Sequence, residues 1–290
     1  MTNHFELFND RILRYETMVR VRRSQKQKDK FINIILQEII SIREDVLVCE
    51  FQDKTKKIGK NIYVGNIDTA STIISTYYDT PAKFVGNYYF DDNKQNGKNT
   101  INEILIESAL YLFVGVFVFL GIQWFFNDKS SQIYWVVVAI FTFIYFMIFK
   151  NITNGRSEKK NLVRNTSTIV QLLDLMQETN KKDVAYALVD FGCNSELGLH
   201  ALKAKNEKAQ IIYLDSINTE NDLYINSGNQ WDKLSDNISF NKKAIYRVVS
   251  GKIDENKKVY LNKDSLNKQE INESNFEKIK KLIELQEGIS

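Results

Sequence analysis

Cysteine, histidine and proline are scarce in this sequence. Its two cysteines, Cys49 and Cys193, lie far apart in a chain of 290 residues, so a disulfide-stabilised small domain is excluded and a reducing compartment is expected. The two histidines, His4 and His200, leave little material for a histidine-rich metal site or a histidine general base. The one proline, Pro81, follows a run of strand-like residues and ends it.

A large excess of charge of either sign is also lacking. The 39 Lys and Arg residues against 36 Asp and Glu residues give a net charge of +3, so no strong field favours a nucleic-acid partner. A hydrophobic content of 43% with 26% charged residues is typical of a globular protein. The length allows one or two domains with a sizeable core.

Two long segments contain no charged residue. They are residues 108–126 (SALYLFVGVFVFLGIQWFF) and 132–149 (QIYWVVVAIFTFIYFMIF), and as helices each spans about 27–28 Å, close to the hydrocarbon thickness of a bilayer. Buried core helices are the alternative, but such helices seldom stay apolar on every face. Trp124 and Trp135 lie near the shared end, where interfacial anchors are expected. The pattern predicts a transmembrane hairpin.

Positive charge follows the second span. The short link between the spans makes them antiparallel neighbours, so both flanking parts lie on one side of the membrane. Between residues 150 and 164, Glu158 is the single acid among five cations, Lys150, Arg156, Lys159, Lys160 and Arg164. The positive-inside rule therefore predicts a two-pass protein of the cell membrane with both termini in the cytoplasm. The charged first 30 residues lack the apolar core of a secretory signal.

The flanking parts show the periodicity of an α/β domain. Helices are predicted over residues 5–21, 25–42, 166–177, 196–205 and 274–285, and strands over 45–51, 60–64, 71–77, 184–189, 210–214, 223–226 and 243–249. Alternating helices and apolar strands after the hairpin indicate a mixed, mostly parallel sheet flanked by helices. We divide the chain into an N-terminal basic and amphipathic helical segment (1–44), two parts of one cytoplasmic α/β domain (45–104 and 151–290) and the hairpin (105–150).

An N-terminal basic cluster has two interpretations. It can contact anionic lipid headgroups, or it can form an ordinary solvated helix face. The cluster consists of Arg20, Arg22, Arg23, Lys26, Lys28 and Lys30.

Five segments follow one another in the order of a known set of motifs. IISTYYDTP at residues 73–81 resembles an apolar strand followed by His-Tyr-Asp-Thr, and RNTSTIVQLLDLM at 164–176 resembles an Asp-Asn-Xaa-Ser-Gly helix start. VAYALVDFGCNSELGL at 184–199 resembles a strand before Glu-Glu-Xaa-Gly-Leu, and IIYLDSIN at 211–218 resembles an Asp-bearing strand. YLNKDSLNKQEINESNFEKIKKLI at 260–283 resembles a closing His-Thr-Xaa-Xaa-Asp segment. In this order the segments resemble the motifs of the di-zinc aminopeptidase family, which includes glutaminyl cyclases.

The departures from these motifs bear on function. The resemblance implies two zinc ions held by His, Asp and Glu with a second Glu as general base, but the matching positions carry Tyr77, Tyr260, Arg164, Glu196, Asp215 and Ser195. A phenol has a pKa near 10 and a guanidinium is permanently cationic, so neither suits a hydrolytic zinc site. A serine without a partner base does not accept a proton from water at neutral pH. We therefore expect no catalytic residue, no metal and no cofactor, and hence a protein that is not an enzyme.

The resemblance gives a set of pocket candidates. Arg164 is expected to take over the electrostatic role of a metal by pairing with Glu196 or Asp215. Asp79 is equally a turn former before Pro81, and Asp215 equally a plain strand-end carboxylate. The full candidate set is Tyr77, Asp79, Arg164, Asn165, Ser195, Glu196, Asp215, Tyr260 and Asp264.

Three functions follow as hypotheses. The first is a membrane-anchored pseudopeptidase that binds a membrane-protein partner, a transporter subunit for instance, or a peptide at the membrane. The second is an active membrane-tethered metallo-aminopeptidase with relocated ligands Asp79, Glu196 and Asp215, a carboxylate set that suits Mg²⁺ or Mn²⁺ better than Zn²⁺. The third is a structural membrane protein whose α/β domain has no pocket function.

Overall fold

The chain begins with two amphipathic helices, α1 (Thr2–Met18) and α2 (Gln25–Ile42). Phe31, Ile35 and Ile39 recur every four residues of α2 and are fully buried, because positions i and i+4 lie on one helix face. The helix starts where the side chain of Gln27 accepts a 2.9 Å hydrogen bond from the backbone N–H of Ser24, which satisfies a donor left open at the helix end.

The structure is a computed structural model. It describes residues 2–52, 56–126, 131–178, 181–193, 195–226, 228, 230–234, 244–268 and 270–287. The chain divides into two compact units: an α/β unit formed by residues 1–81, 87–93 and 158–290, and a hairpin unit formed by residues 82–86 and 94–157.

The α/β unit is built on one mixed sheet. In the described part of the chain the sheet has ten strands, and its main path runs β1-β2-β5-β3-β6-β9-β10-β4, with β7 beside β9 and β8 beside β7. Strands β5, β3, β6 and β9 are parallel, and the flanking pairs are antiparallel. The strands are β1 (Val46–Gln52), β2 (Ile58–Val64), β3 (Thr72–Tyr77), β4 (Tyr88–Tyr89), β5 (Val184–Val189), β6 (Gln210–Asp215), β7 (Asp222–Asn226), β8 (Trp231–Lys233), β9 (Ile245–Ile253) and β10 (Val259–Leu261).

Helices cover the sheet. A π-helical turn, Leu162–Thr166, leads into α5 (Ser167–Glu178), whose described residues up to Met176 are all buried. Further along follow α6 (Leu197–Lys205), α7 (Lys263–Leu266) and α8 (Glu273–Glu287). One core cluster joins α1, α2, α5 and α8 to one sheet face, and a second cluster lies on the other face near α6. The central strands β5 and β6 are fully buried because both faces are covered.

The hairpin unit contains α3 (Asn93–Phe125) from Lys94 onward and all of α4 (Gln132–Thr153). Both helices are long and apolar enough to cross a membrane, with mean hydropathies of 2.3 and 2.1, and only 6% of each apolar window is buried. The rings of Tyr111 and Tyr145 stack at 4.7 Å. A Cβ at Gly115 would lie 2.4 Å from the ring of Tyr145, so glycine is what lets this ring pack against α3. The link at residues 127–130 lies outside the described residues.

The predicted fold class is confirmed, and most predicted elements have a counterpart. Helix Gln25–Ile42 and strand Val184–Val189 keep their predicted bounds. Helix α3 begins well before residue 108, because Asn93–Glu107 continues the helix outside the apolar run. The short strands β4, β8 and β10 and helix α7 were not predicted, since elements of two to four residues carry too little periodicity. The first residue of the predicted strand 243–249 lies outside the described residues.

The N-terminal basic cluster is not one solvated face. Arg22 is fully buried, and its guanidinium donates to the carbonyl oxygens of Tyr78 and Val19 at 2.6 and 2.9 Å. Lys28 is also buried, and its Nζ lies 2.6 Å from Oδ1 of Asp190. Both interpretations of the cluster therefore fail for these two residues, because tertiary partners are available to them and a buried cation needs such partners.

Candidate functional site

The candidate site lies where parallel strands end. Tyr77 is the last residue of β3 and Asp215 the last of β6, while Asp190 directly follows β5. The carboxyl ends of neighbouring parallel strands share one sheet edge, which is where open α/β sheets bind ligands. Three residues in the loops at this edge, Phe191, Glu196 and Ser216, have positive φ angles of 56°, 55° and 52°. Such backbone is costly for non-glycine residues and is concentrated at functional sites.

Four buried side chains meet at this edge and form what we call the Arg164 cluster: Tyr77, Tyr88, Arg164 and Asp215. The phenol of Tyr77 donates to Oδ1 of Asp215 at 2.8 Å, and that of Tyr88 donates to Oδ2 at 3.4 Å. The guanidinium of Arg164 lies 4.0 Å from the centre of the Tyr88 ring. Three of the predicted candidates, Tyr77, Arg164 and Asp215, are thus brought together by the fold.

The environment fixes the protonation of this cluster. Burial, reinforced by the charge of Asp215, raises the pKa of the Tyr77 and Tyr88 phenols above the ordinary value. Burial also raises the pKa of Asp215, while the charges of Arg247 and Arg164 and the hydrogen bond from Tyr77 lower it. The phenols therefore remain neutral donors, and the arginines supply the positive charge that a buried carboxylate requires.

A second charge pair lies beside the cluster. Arg247 of β9 forms a salt bridge with Glu196 and donates a hydrogen bond to the carbonyl oxygen of Phe90. Its guanidinium lies 5.4 Å from the centre of the Tyr213 ring. Because the charge of Arg247 also lowers the pKa of Asp215, it acts on the cluster as well as on Glu196.

Sequence reasoning missed Tyr88 and Arg247. Tyr88 belongs to a two-residue strand, and no local pattern distinguishes it from the other tyrosines of the chain. Arg247 lies inside a predicted strand, YRVV, where an arginine between apolar residues was the available signal. An arginine in a central strand is unusual because charged residues are seldom buried without a partner.

Asp79 and Asn165 organise the backbone at the same edge. The carboxylate of Asp79 accepts hydrogen bonds from the backbone N–H of Gly192 at 2.7 Å and of Cys193 at 3.3 Å. Asn165 donates to the carbonyl oxygen of Asp79 at 2.7 Å and accepts from Arg22 at 2.6 Å. These contacts connect the end of β3 to the loop after β5 and to the π-helical turn.

The charge state of Asp79 is sensitive to this setting. Burial first, and then the charge of Asp190, raise the pKa of Asp79 to about 6, while Lys28 and the two backbone N–H groups oppose the rise. Gly192 makes the close approach possible, since a Cβ at this position would lie 2.1 Å from Cβ of Tyr77.

The remaining candidates lie apart from the cluster. Ser195 is exposed in the loop before α6, and Asp264 is exposed in the first turn of α7. Tyr260 pairs with Tyr89, and their rings lie 5.7 Å apart. Neighbouring residues of a strand point to opposite faces, so Tyr260 and Tyr89 point away from the side on which Tyr88 reaches Asp215.

The side chains at the edge do not fit the zinc ions that the family resemblance implies. The Arg164 cluster contains a guanidinium, two neutral phenols and a single carboxylate, whereas zinc sites are built from several thiolate, imidazole or carboxylate donors. Among the described residues, no group of three or more His, Cys, Asp or Glu side chains is placed to hold a metal ion. Asp79, Glu196 and Asp215, the relocated ligand set, are instead engaged by backbone N–H groups, by Arg247 and by Tyr77, respectively.

Cys193 and His200 do not contribute a reactive group to the Arg164 cluster. The thiol of Cys193 is buried and donates to the carbonyl oxygen of Asp79 at 3.1 Å. Burial, with the charge of Asp79, raises its pKa well above the ordinary value, which disfavours the nucleophilic thiolate. His200 is exposed on α6.

Comparison with known proteins gives structural likeness only. No protein-family model and no curated protein matches the chain. It is similar to the solved structure of a Zn-dependent exopeptidase from Parabacteroides distasonis ATCC 8503, with 11% identity, a TM-score of 0.39, and coverage of 75% of this chain and 61% of that chain. Glutaminyl cyclases from Fimbriiglobus ruber and Porphyromonas gingivalis match with 10% and 11% identity and TM-scores of 0.38 and 0.39.

The coverage of these two cyclases is 73% and 75% of this chain and 62% of each of theirs. The chain thus spans less than two thirds of each of these three solved structures. All three are enzymes by name, and this finding corrects the expectation that the protein is not an enzyme. That expectation rested on missing zinc ligands, and the loss of one family's ligands does not remove every route to catalysis.

Proposed function

We propose that this protein is a membrane-anchored binding subunit whose α/β unit holds a membrane-protein partner, with a transporter subunit as one partner class, or a peptide at the membrane. The observation that carries the proposal is the pair α3 and α4, which expose apolar residues such as Phe117 (58% exposed) and Phe143 (72% exposed). Exposed apolar area on this scale requires lipid or another protein around it.

The charge distribution supports a protein of the cell membrane whose α/β unit lies in the cytoplasm. Lys150, Arg156, Lys159 and Lys160 are exposed after the apolar part of α4, and cations beside a span favour the cytoplasmic side. Arg164 is buried in its cluster and is not part of this surface charge. Pro81 ends the first part of the α/β unit and Glu158 begins its last part, and the backbone N–H of Glu158 donates to the carbonyl oxygen of Pro81 at 3.0 Å.

This junction supports a membrane-bound partner rather than a freely diffusing one. Pro81 lies four residues after Tyr77, the end of β3, and Glu158 lies six residues before Arg164. The hairpin is therefore inserted between two segments that supply the Arg164 cluster. A partner held in the membrane and bound at the carboxyl edge would meet the α/β unit with its translational freedom already restricted.

Site-specific photocrosslinking in native membranes tests the binding role. One probe replaces the exposed Ser195 at the carboxyl edge, one replaces Phe143 on the hairpin, and a control replaces the exposed Lys281 on α8. The proposal expects Ser195 and Phe143 to capture the same membrane protein or peptide, identified by mass spectrometry, and Lys281 to capture none. Capture from Phe143 alone would favour a structural membrane protein with no role for the edge.

The three similar structures are enzymes by name, so the enzymatic activity of this protein is measured on the same preparation. Exopeptidase and glutaminyl cyclase reporter substrates are tested with the wild type and with Asp215→Asn, which keeps the size of the side chain and removes its charge. Turnover lost in Asp215→Asn would assign chemistry to the edge in addition to binding. Turnover that is unchanged in the variant would point to another site or a contaminant.

A further inference from the structure

The base of the hairpin unit carries a collar, which we define as residues 82–86, 156 and 157. Ala82 and Ser157 form an antiparallel bridge, and the backbone N–H of Lys83 donates to the carbonyl oxygen of Arg156 at 2.8 Å. The backbone N–H of Val85 donates to the carbonyl oxygen of Asn99 in α3 at 3.3 Å. The collar is therefore a backbone-bonded part of the hairpin unit.

Ion pairs fix the side chains of the collar to α3. Nζ of Lys83 lies 3.7 Å and Nη1 of Arg156 lies 3.5 Å from Oε1 of Glu107. The side chains of Lys83 and Arg156 remain 32% and 54% exposed, whereas that of Glu107 is 17% exposed. Two cations thus share one covered carboxylate, and the charge left over at the surface is positive.

A ring contact between the two helices shows where the collar cations lie along the hairpin. Tyr111 of α3 lies 6.1 Å from Phe149 of α4, ring centre to ring centre, so the two helices reach the end of their apolar runs at the same level. Glu107 precedes Tyr111 by four residues, about 6 Å along a helix. Lys150 directly follows Phe149 and is exposed. Three cations, Lys83, Lys150 and Arg156, therefore lie near the border of the apolar region, and Glu107 pairs with two of them, Lys83 and Arg156.

We propose that this collar binds the phosphate groups of anionic phospholipids. The inference rests on the proposed membrane anchoring, since only an inserted hairpin brings the collar to headgroup depth. Phosphates of lipid headgroups lie just outside the hydrocarbon core, and guanidinium and ammonium groups bind them by charge-assisted hydrogen bonds. Of the N-terminal basic cluster, Arg22 and Lys28 are excluded from this role because both are buried.

Native mass spectrometry of the full chain with added lipid tests the inference. Protein in detergent is titrated with phosphatidylcholine and phosphatidylglycerol, and the ratio of the two bound lipids gives the anionic preference. Each cation near a membrane surface contributes about a fivefold preference, so Lys83→Gln with Arg156→Gln is expected to reduce the ratio by about 25-fold. Glu107→Gln is expected to increase the ratio by about fivefold, a change that misfolding would not produce.

The matched control is Lys252→Gln with Lys257→Gln, which removes the same charge from exposed positions of the α/β unit. An equal fall in this control would show a general charge effect and overturn the inference, as would an unchanged ratio in the collar variant. Extraction of wild-type membranes with alkaline carbonate separates the two proposals. Release of the protein would contradict the proposed membrane anchoring. Retention of the protein in the membrane without any preference for phosphatidylglycerol would contradict only the proposed lipid site.

Discussion

Two regions of the molecule are rich in apolar residues but differ in burial. One is the pair of central strands, β5 and β6, and the other is the pair of hairpin helices, α3 and α4. Every residue of Val184–Val189 and Gln210–Asp215 is buried, whereas only 6% of each apolar window of the hairpin is buried. The strands have helices on both faces, whereas most apolar side chains of the hairpin windows are not covered by protein. Hydrophobicity thus determines that a segment must leave water, and the surroundings determine whether protein or lipid replaces it.

The two regions also treat charge differently. Inside the α/β unit, Arg164 and Arg247 are placed against Asp215, Glu196 and aromatic rings. At the hairpin base, Arg156 is paired with Glu107 but is more than half exposed. Buried charges need their partners for stability, while exposed pairs contribute little and stay available for ligands.

Arginine replacement gives the largest expected contrast. Arg164→Ala leaves Asp215 buried beside one cation fewer and is expected to lower the free energy of unfolding by about 3–5 kcal/mol. The matched Arg156→Ala removes an exposed pair and should cost less than about 1 kcal/mol. Urea unfolding in detergent, followed by circular dichroism, measures both.

The double variant Arg164→Met with Asp215→Asn tests the reason for the loss. It removes the positive charge of Arg164 and the negative charge of Asp215 together, so no uncompensated charge is left buried, and it should recover most of the stability. Equal losses in Arg164→Ala and Arg156→Ala would show that burial of the charge does not decide its contribution.

Leucine truncation tests the packing side of the comparison. Leu214 in β6 is fully buried and Leu120 in α3 is 55% exposed. Leu214→Ala is expected to cost about 2–5 kcal/mol because it leaves a cavity, whereas Leu120→Ala should cost under about 1 kcal/mol in detergent. A large loss for Leu120→Ala in purified protein would mean that this face of the hairpin packs against protein rather than lipid.

Titration should act on the α/β unit through Asp79. Its pKa is raised to about 6 in the folded protein from an ordinary value of 3.8, so the folded state binds the proton more tightly than the unfolded state. The free energy of unfolding should therefore fall by up to about 3 kcal/mol as the pH rises from about 4 to about 6. Asp79→Asn should flatten this slope, and the exposed Asp68→Asn should leave it in place. A pH dependence of the free energy of unfolding that persists in Asp79→Asn would show that another group causes it.

Glycine replacement in the hairpin gives the smallest expected effect. Gly115→Ala would place a Cβ 2.4 Å from the Tyr145 ring, whereas a Cβ at Gly121 has no other heavy atom within 4 Å in the described residues. Gly115→Ala should separate α3 from α4 and cost about 1 kcal/mol, and Gly121→Ala should do neither. Distances between spin labels on the two helices measure the separation. Identical distances in both variants would contradict the packing of Tyr145 against Gly115.

Sequence reasoning predicted the long elements because they carry strong periodicity. The apolar runs marked both hairpin helices, and alternating helices and strands indicated the mostly parallel sheet that the structure contains. The extension Asn93–Glu107 of α3 is polar and gave no such signal. The short strands β4 and β10 form only because longer strands and neighbouring loops hold them in place.

The candidate site was predictable in part. Tyr77 and Asp215 end parallel strands, and the topology alone brings such positions together. Tyr88 and Arg247 come from β4 and β9, whose positions depend on pairing between distant segments. Tyr260 was expected at the site but points to the other side, because strand register decides which residues face the cluster.

The sequence by itself determined the mixed α/β class, the two membrane-length apolar runs and the strand-end residues, because these depend on periodicity and composition within short segments. Only the tertiary structure decided that Arg22 and Lys28 are buried and that Arg164 and Arg247 act on one carboxylate. Only the tertiary structure also decided that Lys83 and Arg156 share Glu107. Burial and charge pairing are set by residues far apart in the chain, and no local pattern records which of them will meet.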